Sequence, residues 1–181
     1  MDGPPPPLTA GRCGAATASV GTVGFSPLGL GVAVAVLAPN LLLVWLPPRQ
    51  PMPTAQVPRV LAWLERTGQV LCLVLPAVVA PGALHWGWAV PAIAALAGYY
   101  GLWGRYLRRG RSGPALYAPL WRIPVPMAIL PVAVFLASAA WLGNAWLAGA
   151  AVILAAGHIP AALIIARGAG ERPEVRRSRA R

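Results

Sequence analysis

Five apolar stretches separated by short polar breaks organise this chain, and most end at residues that stop a helix. The first runs from Phe25 or Pro27 to Leu46 and stops at Pro47-Pro48, where two consecutive prolines remove amide donors and clash with the preceding turn. A Pro- and Gln-containing linker leads on to Pro58. The second stretch is uniformly apolar only from Val70 to Val79, too short to cross a bilayer unless its helix begins near Leu64. Ahead of it, Arg59–Leu64 has the makings of a short segment lying along the membrane interface. The third stretch is predicted from Ala83 to Trp103, the fourth from Ile123 to Leu142 and the fifth from Trp146 to Ala166. Each is close to the roughly 20 residues that span a hydrocarbon core. The pattern predicts an all-α integral membrane helical bundle with five transmembrane helices. Residues 1–24, opening on Pro4-Pro5-Pro6-Pro7 and lacking periodicity, are expected to form a disordered tail. Residues 25–167 form the bundle, and 168–181 a basic cytoplasmic tail.

Composition strengthens this picture. Apolar residues make up 57% of the 181 positions and charged residues only 10%, against about a quarter charged in an ordinary soluble domain. Five spans use most of the length, so no separate soluble catalytic domain is expected. The net charge of +11 would suggest nucleic acid in a soluble protein. Here it sits at the ends of apolar stretches, where basic residues set orientation and meet anionic headgroups, so the lipid bilayer and not nucleic acid is the expected partner.

All fifteen basic residues are arginine, and their positions alternate with the stretches. Arg49, Arg59 and Arg66 follow the first stretch. Arg105, Arg108, Arg109, Arg111 and Arg122 lie between the third and fourth, and the remaining six follow the fifth, leaving Arg12 alone in the tail. The turns at Gly82–Trp86 and Gly143–Ala145 contain none. By the positive-inside rule the N-terminus lies outside and the C-terminus in the cytoplasm, in a cell's inner (plasma) membrane. Trp86, Trp88, Trp141 and Trp146 are then outer anchors, and Tyr99, Tyr100 and Trp103 lie toward the inner side.

Polar residues inside the stretches carry the candidate chemistry, since each is costly against lipid and should face the bundle interior. Counting along each helix, Asn40, Gln69, Tyr99, Tyr100 and His158 fall in the cytoplasmic half, with Glu65, Arg105 and Arg122 at the helix feet. Glu65 is the only acidic residue between Asp2 and Glu171. A carboxylate at that depth calls for a cation, and Arg105 and Arg122 are the expected partners. His158 precedes Pro160, whose ring frees the carbonyl of Ala156. Metal ligation is not expected, because the other histidine, His85, lies at the opposite end and zinc needs three or four ligands. No cofactor motif and no nucleophile–base–acid set is present. Small residues at helical spacing, Ala94/Gly98, Gly101/Gly104 and Ala151/Ala155, are expected to pack helices together.

Pro39-Asn40-Leu41-Leu42, Glu65-Arg66 with Gly68, Tyr99-Tyr100, Arg105-Tyr106 with Gly110-Arg111, Ile123-Pro124-Val125-Pro126-Met127 and Gly157-His158-Ile159 together resemble a family of small uncharacterised bacterial multi-pass membrane proteins. That resemblance spans about Pro39 to Pro160 and implies no activity. The residues themselves suggest a module that binds or moves a lipid or small amphipathic molecule in a cytoplasm-facing polar pocket. Asn40, Glu65, Gln69, Tyr99, Tyr100 and His158 would line it, and Arg105 and Arg122 would meet an anionic group. The alternatives are an intramembrane transferase or hydrolase using His158 or Glu65 as base, and a structural subunit of a membrane complex docked by its arginine loop.

Overall fold

The computed structural model describes residues 22–50 and 52–178, with side chains to Gly168. The expected tail at 1–24 therefore falls almost wholly outside the described residues, whereas 168–178 of the expected basic tail continue the last helix. Five α-helices form an all-α bundle: α1 (Pro27–Trp45), α2 (Arg59–Val78), α3 (Ala89–Arg108), α4 (Pro126–Trp141) and α5 (Ala145–Ser178). Local chemistry explains their ends. Pro27 opens α1, and the Ser26 hydroxyl accepts a hydrogen bond from the Gly29 amide at 3.1 Å, capping a donor with no partner inside the helix. Pro126 opens α4 in the same way. Gly143, at φ +58°, turns the chain between α4 and α5, where an added Cβ would press on the Ala83 carbonyl. Asn144 then caps α5 by accepting from the Leu147 amide at 3.0 Å.

Three boundaries differ from expectation. Helix α2 is one continuous rod from Arg59, with no separate interfacial segment before Leu64. Helix α3 begins at Ala89 rather than Ala83, because the chain bends at Ala83 after Pro81 and Gly82, and Trp86–Trp88 form a single 3-10 turn ahead of it. Helix α5 runs beyond Ala166 to Ser178. The expectation of five spans holds only in part. Among the described residues three helices are long and apolar enough to cross a membrane, namely Pro27–Trp45, Arg59–Val78 and Ala145–Gly168. Helix α4 is apolar but has 16 residues, a length of about 24 Å. Helix α3 has 20 residues but carries Arg105, Arg108 and three tyrosines, which lower its hydropathy.

The helices pack in the order α1, α2, α5, α4, α3, with sequence neighbours antiparallel. Gly24 and Ser26 hydrogen-bond Val78 and Ala77, which joins the start of α1 to the end of α2. His85 and Gly82 bond Trp141 and Leu142, which joins the start of α3 to the end of α4. The opposite ends meet where the Arg49 amide bonds the Arg111 carbonyl and where Gly168 faces Ala55. One end of the bundle thus gathers the arginines with described side chains, from Arg49 to Arg167, and the other has none. Six tryptophans are exposed and divide evenly: Trp45, Trp63 and Trp121 toward the arginine end, and Trp86, Trp88 and Trp146 at the other. Between these two rings the outward residues are apolar, among them Val34, Leu41, Val70, Val74, Val90, Ile93 and Val152. An apolar band between two tryptophan rings is the signature of a protein immersed in lipid. The helices support a membrane location.

Closure of the ring between α1 and α3 rests on tyrosine hydroxyls more than on packed side chains. Pro39 lacks the amide that would bond the Ala35 carbonyl four residues back. Tyr100 donates to that carbonyl at 2.8 Å, and Tyr106 donates to the Leu46 carbonyl at 3.2 Å, just past the end of α1. In hydrocarbon, where no water can substitute, a proline in a helix is tolerated only with such compensation.

Candidate functional site

The tightest packing lies between α2 and α5, and two glycines make it possible. A Cβ on Gly68 would overlap the backbone of Leu154, and one on Gly157 would overlap the backbone of Glu65 and Leu61. Small residues let helix backbones approach closely where no hydrophobic force drives association. The expected small-residue contacts are replaced in part: Cβ atoms on Gly101 and Gly104 would meet nothing within 4 Å. The close approach at Gly157 sets His158 against α2. Its Nδ1 lies 2.7 Å from Oε1 of Glu65, with both side chains about a quarter exposed. Gln69, one turn along α2, donates to the same carboxylate oxygen at a long 3.5 Å.

Histidine is therefore the partner of Glu65, in place of the arginine expected. Arg105 instead donates to the Ala118 carbonyl at 3.2 Å, securing the loop that follows α3. Arg122 is exposed in the turn before α4. An arginine at the foot of a helix has enough reach to find headgroups or loop carbonyls, whereas His158 is brought onto Glu65 by the helix contact itself.

Beside this pair lies a cavity of about 460 Å³. All five helices wall it. Asn40, Gln69, Tyr99 and His158 bring polar groups from α1, α2, α3 and α5, while α4 contributes only apolar residues such as Met127, Pro131 and Phe135. Met52, Leu116 and Tyr117 close its arginine-end floor from the connecting loops. Asn40 and Gln69 line the cavity yet remain exposed, so it reaches the surface between α1 and α2. Across from them, Tyr99 donates to Asn40 Oδ1 at 3.0 Å, and the Asn40 amide nitrogen donates to the Val36 carbonyl at 3.1 Å. Of the eight candidates, then, Asn40, Gln69, Tyr99 and His158 line the cavity and Glu65 is hydrogen-bonded to two of them. Tyr100, Arg105 and Arg122 are engaged elsewhere or face outward.

Several lining residues were not apparent from sequence. Trp103, expected only to lie toward the inner side, is 3% exposed and packs edge-on against Tyr99 and Tyr106, with ring centroids 6.3 and 5.6 Å apart. Its spacing of four from Tyr99 was the available signal, since residues i and i+4 share a helix face. Tyr117 lies in a loop and had no periodic signal. Burial raises its phenol above the ordinary range, and the charge of Glu65 adds to that shift.

A histidine held by a carboxylate has the arrangement of a general base. No group of three metal-ligating side chains occurs among the described residues. Comparison with family models, with curated proteins and with solved structures finds no match to the chain.

Proposed function

We propose that this chain is a five-span bacterial plasma-membrane protein that binds or moves a lipid or small amphipathic molecule in the cavity beside Glu65 and His158. The carrying observation is a pocket of about 460 Å³, within the usual size range for small-molecule sites, walled by all five helices and opening sideways between α1 and α2. A lateral opening admits a molecule from the bilayer without passage through water. Two features support five spans despite the marginal α3 and α4: the antiparallel order and the paired tryptophan rings. The arginine-bearing end would face the cytoplasm, leaving the N-terminus outside and the C-terminus inside. A membrane-impermeant thiol reagent tests this orientation in a Cys13→Ser background. Gly87→Cys should be labelled on intact cells and Arg109→Cys only after permeabilisation; the reverse result would invert the topology.

Native mass spectrometry of mildly extracted protein tests the binding. The wild type should retain a lipid or amphiphile, and Ala128→Phe, which places a ring in the cavity, should lose it while remaining helical and monodisperse. Equal retention by both removes the pocket from the explanation. The Glu65–His158 contact favours a second reading, an intramembrane transferase or hydrolase with His158 as base. In that case the retained molecule changes mass on incubation, and His158→Ala stops the change.

A further inference from the structure

We infer that the seam between α1 and α3 docks an anionic phospholipid, its phosphate between the guanidinium groups of Arg49 and Arg111 and its acyl chains along the exposed helix surface. This site is separate from the cavity and does not rest on the binding reading above. Backbone bonds bring the two arginines together. The Arg49 amide donates to the Arg111 carbonyl at 2.9 Å, and one residue further on the Ser112 hydroxyl donates to the Gln50 side chain at 2.8 Å. Arg111 sits at φ +58°, directly after Gly110 at +71°, in the left-handed region that arginine seldom adopts. Its own amide is held by the Tyr106 carbonyl at 3.1 Å. Such a conformation lasts only where surrounding bonds fix it, so the placement of this arginine is built into the fold.

The pairing sets like charge beside like charge, which repels, and no described carboxylate compensates it. Among the described side chains Glu65 is the only acid, and His158 holds it at 2.7 Å. Neither Arg49 nor Arg111 donates a hydrogen bond from its guanidinium among the described residues, whereas Arg105 and Arg108 reach the carbonyls of Ala118 and Gly104. A phosphate matches the planar donor forks of both groups. The surroundings select a lipid phosphate over a soluble one. The Arg111 charge reaches the Tyr106 hydroxyl, which bridges α3 to the Leu46 carbonyl, so that charge lies over the seam. Leu46 and Tyr100 bond across the seam yet remain exposed, and Trp45 beside them is 82% exposed, which gives acyl chains an apolar bed. Arg108 and Arg109, at the end of α3, favour an anionic head over one that carries its own ammonium group.

Thermal unfolding of the full-length protein in detergent tests the site, with dioleoylphosphatidylglycerol, dioleoylphosphatidylcholine or inorganic phosphate added. Dioleoylphosphatidylglycerol at about ten times its dissociation constant should raise the midpoint by about 4 °C, and the other two should leave it unchanged. Arg49→Gln with Arg111→Asn should abolish the rise, asparagine being a neutral residue at ease with positive φ. Arg59→Gln with Arg66→Gln removes the same charge from the same end and should keep it. Arg49→Gln alone leaves the Arg111 turn intact and should lower the rise by about half, which decides the matter if the paired variant does not fold. No rise in the wild type, or an equal rise with dioleoylphosphatidylcholine or inorganic phosphate, overturns the inference. So does a full rise in folded Arg49→Gln/Arg111→Asn or in Arg49→Gln, or a rise lost equally from both paired variants. Ala128→Phe should keep the rise; its loss there would put the lipid in the cavity and overturn the separate site.

Discussion

Gly157→Leu is expected to destabilise the bundle by about 3 kcal/mol, at the upper end of the range for overpacking a close contact. The atoms in the way belong to the Glu65 and Leu61 backbone, not to the tip of a flexible side chain, so no rotamer change relieves the overlap. The two helices must separate. Separation withdraws His158 from Glu65 and opens the α2–α5 seam, where Leu154 and Cys72 are buried. Thermal unfolding followed by circular dichroism measures the loss, and dispersity on size exclusion reports whether the bundle survives extraction. Gly101→Leu is the control, because a side chain there meets nothing within 4 Å and leucine favours helix over glycine. If the two variants unfold alike, the seam is not what holds the bundle.

The same contact shows what could be learned from sequence and what could not. The number of helices follows from apolar runs and their proline breaks, because those properties are local. The span status of α3 does not follow as simply: Tyr99, Tyr100 and Arg105 lower its hydropathy, and each is satisfied by a partner on another element. The presence of a polar residue at a given depth is legible from spacing, and that spacing groups Asn40, Gln69, Tyr99 and His158. Which group faces which is another matter. Glu65 and His158 are 93 positions apart, and their pairing depends on Gly157 meeting Glu65 and Gly68 meeting Leu154, neither of which has a periodic signature. Charge complementarity alone favours arginine, and it ignores that Arg105 has a nearer acceptor in the loop that follows its own helix.

The Glu65–His158 pair should respond asymmetrically to the loss of either member. His158→Leu leaves a carboxylate against apolar helix surface with only the 3.5 Å contact from Gln69, and an uncompensated charge at such a site costs about 3 kcal/mol. Glu65→Leu takes one hydrogen bond from the imidazole and strands no carboxylate, so the cost is about 1 kcal/mol. The double variant should be more stable than His158→Leu alone, because removing the stranded carboxylate recovers more than the added leucine disturbs. A double-mutant cycle by thermal unfolding measures all three. Additive single losses, or a larger loss from Glu65→Leu than from His158→Leu, would mean that the carboxylate is solvated by headgroups and draws nothing from the histidine. Should the asymmetry appear, the pair is a self-contained neutralising unit. A cavity bordered by such a unit and by no free cation has no reason to prefer a charged guest.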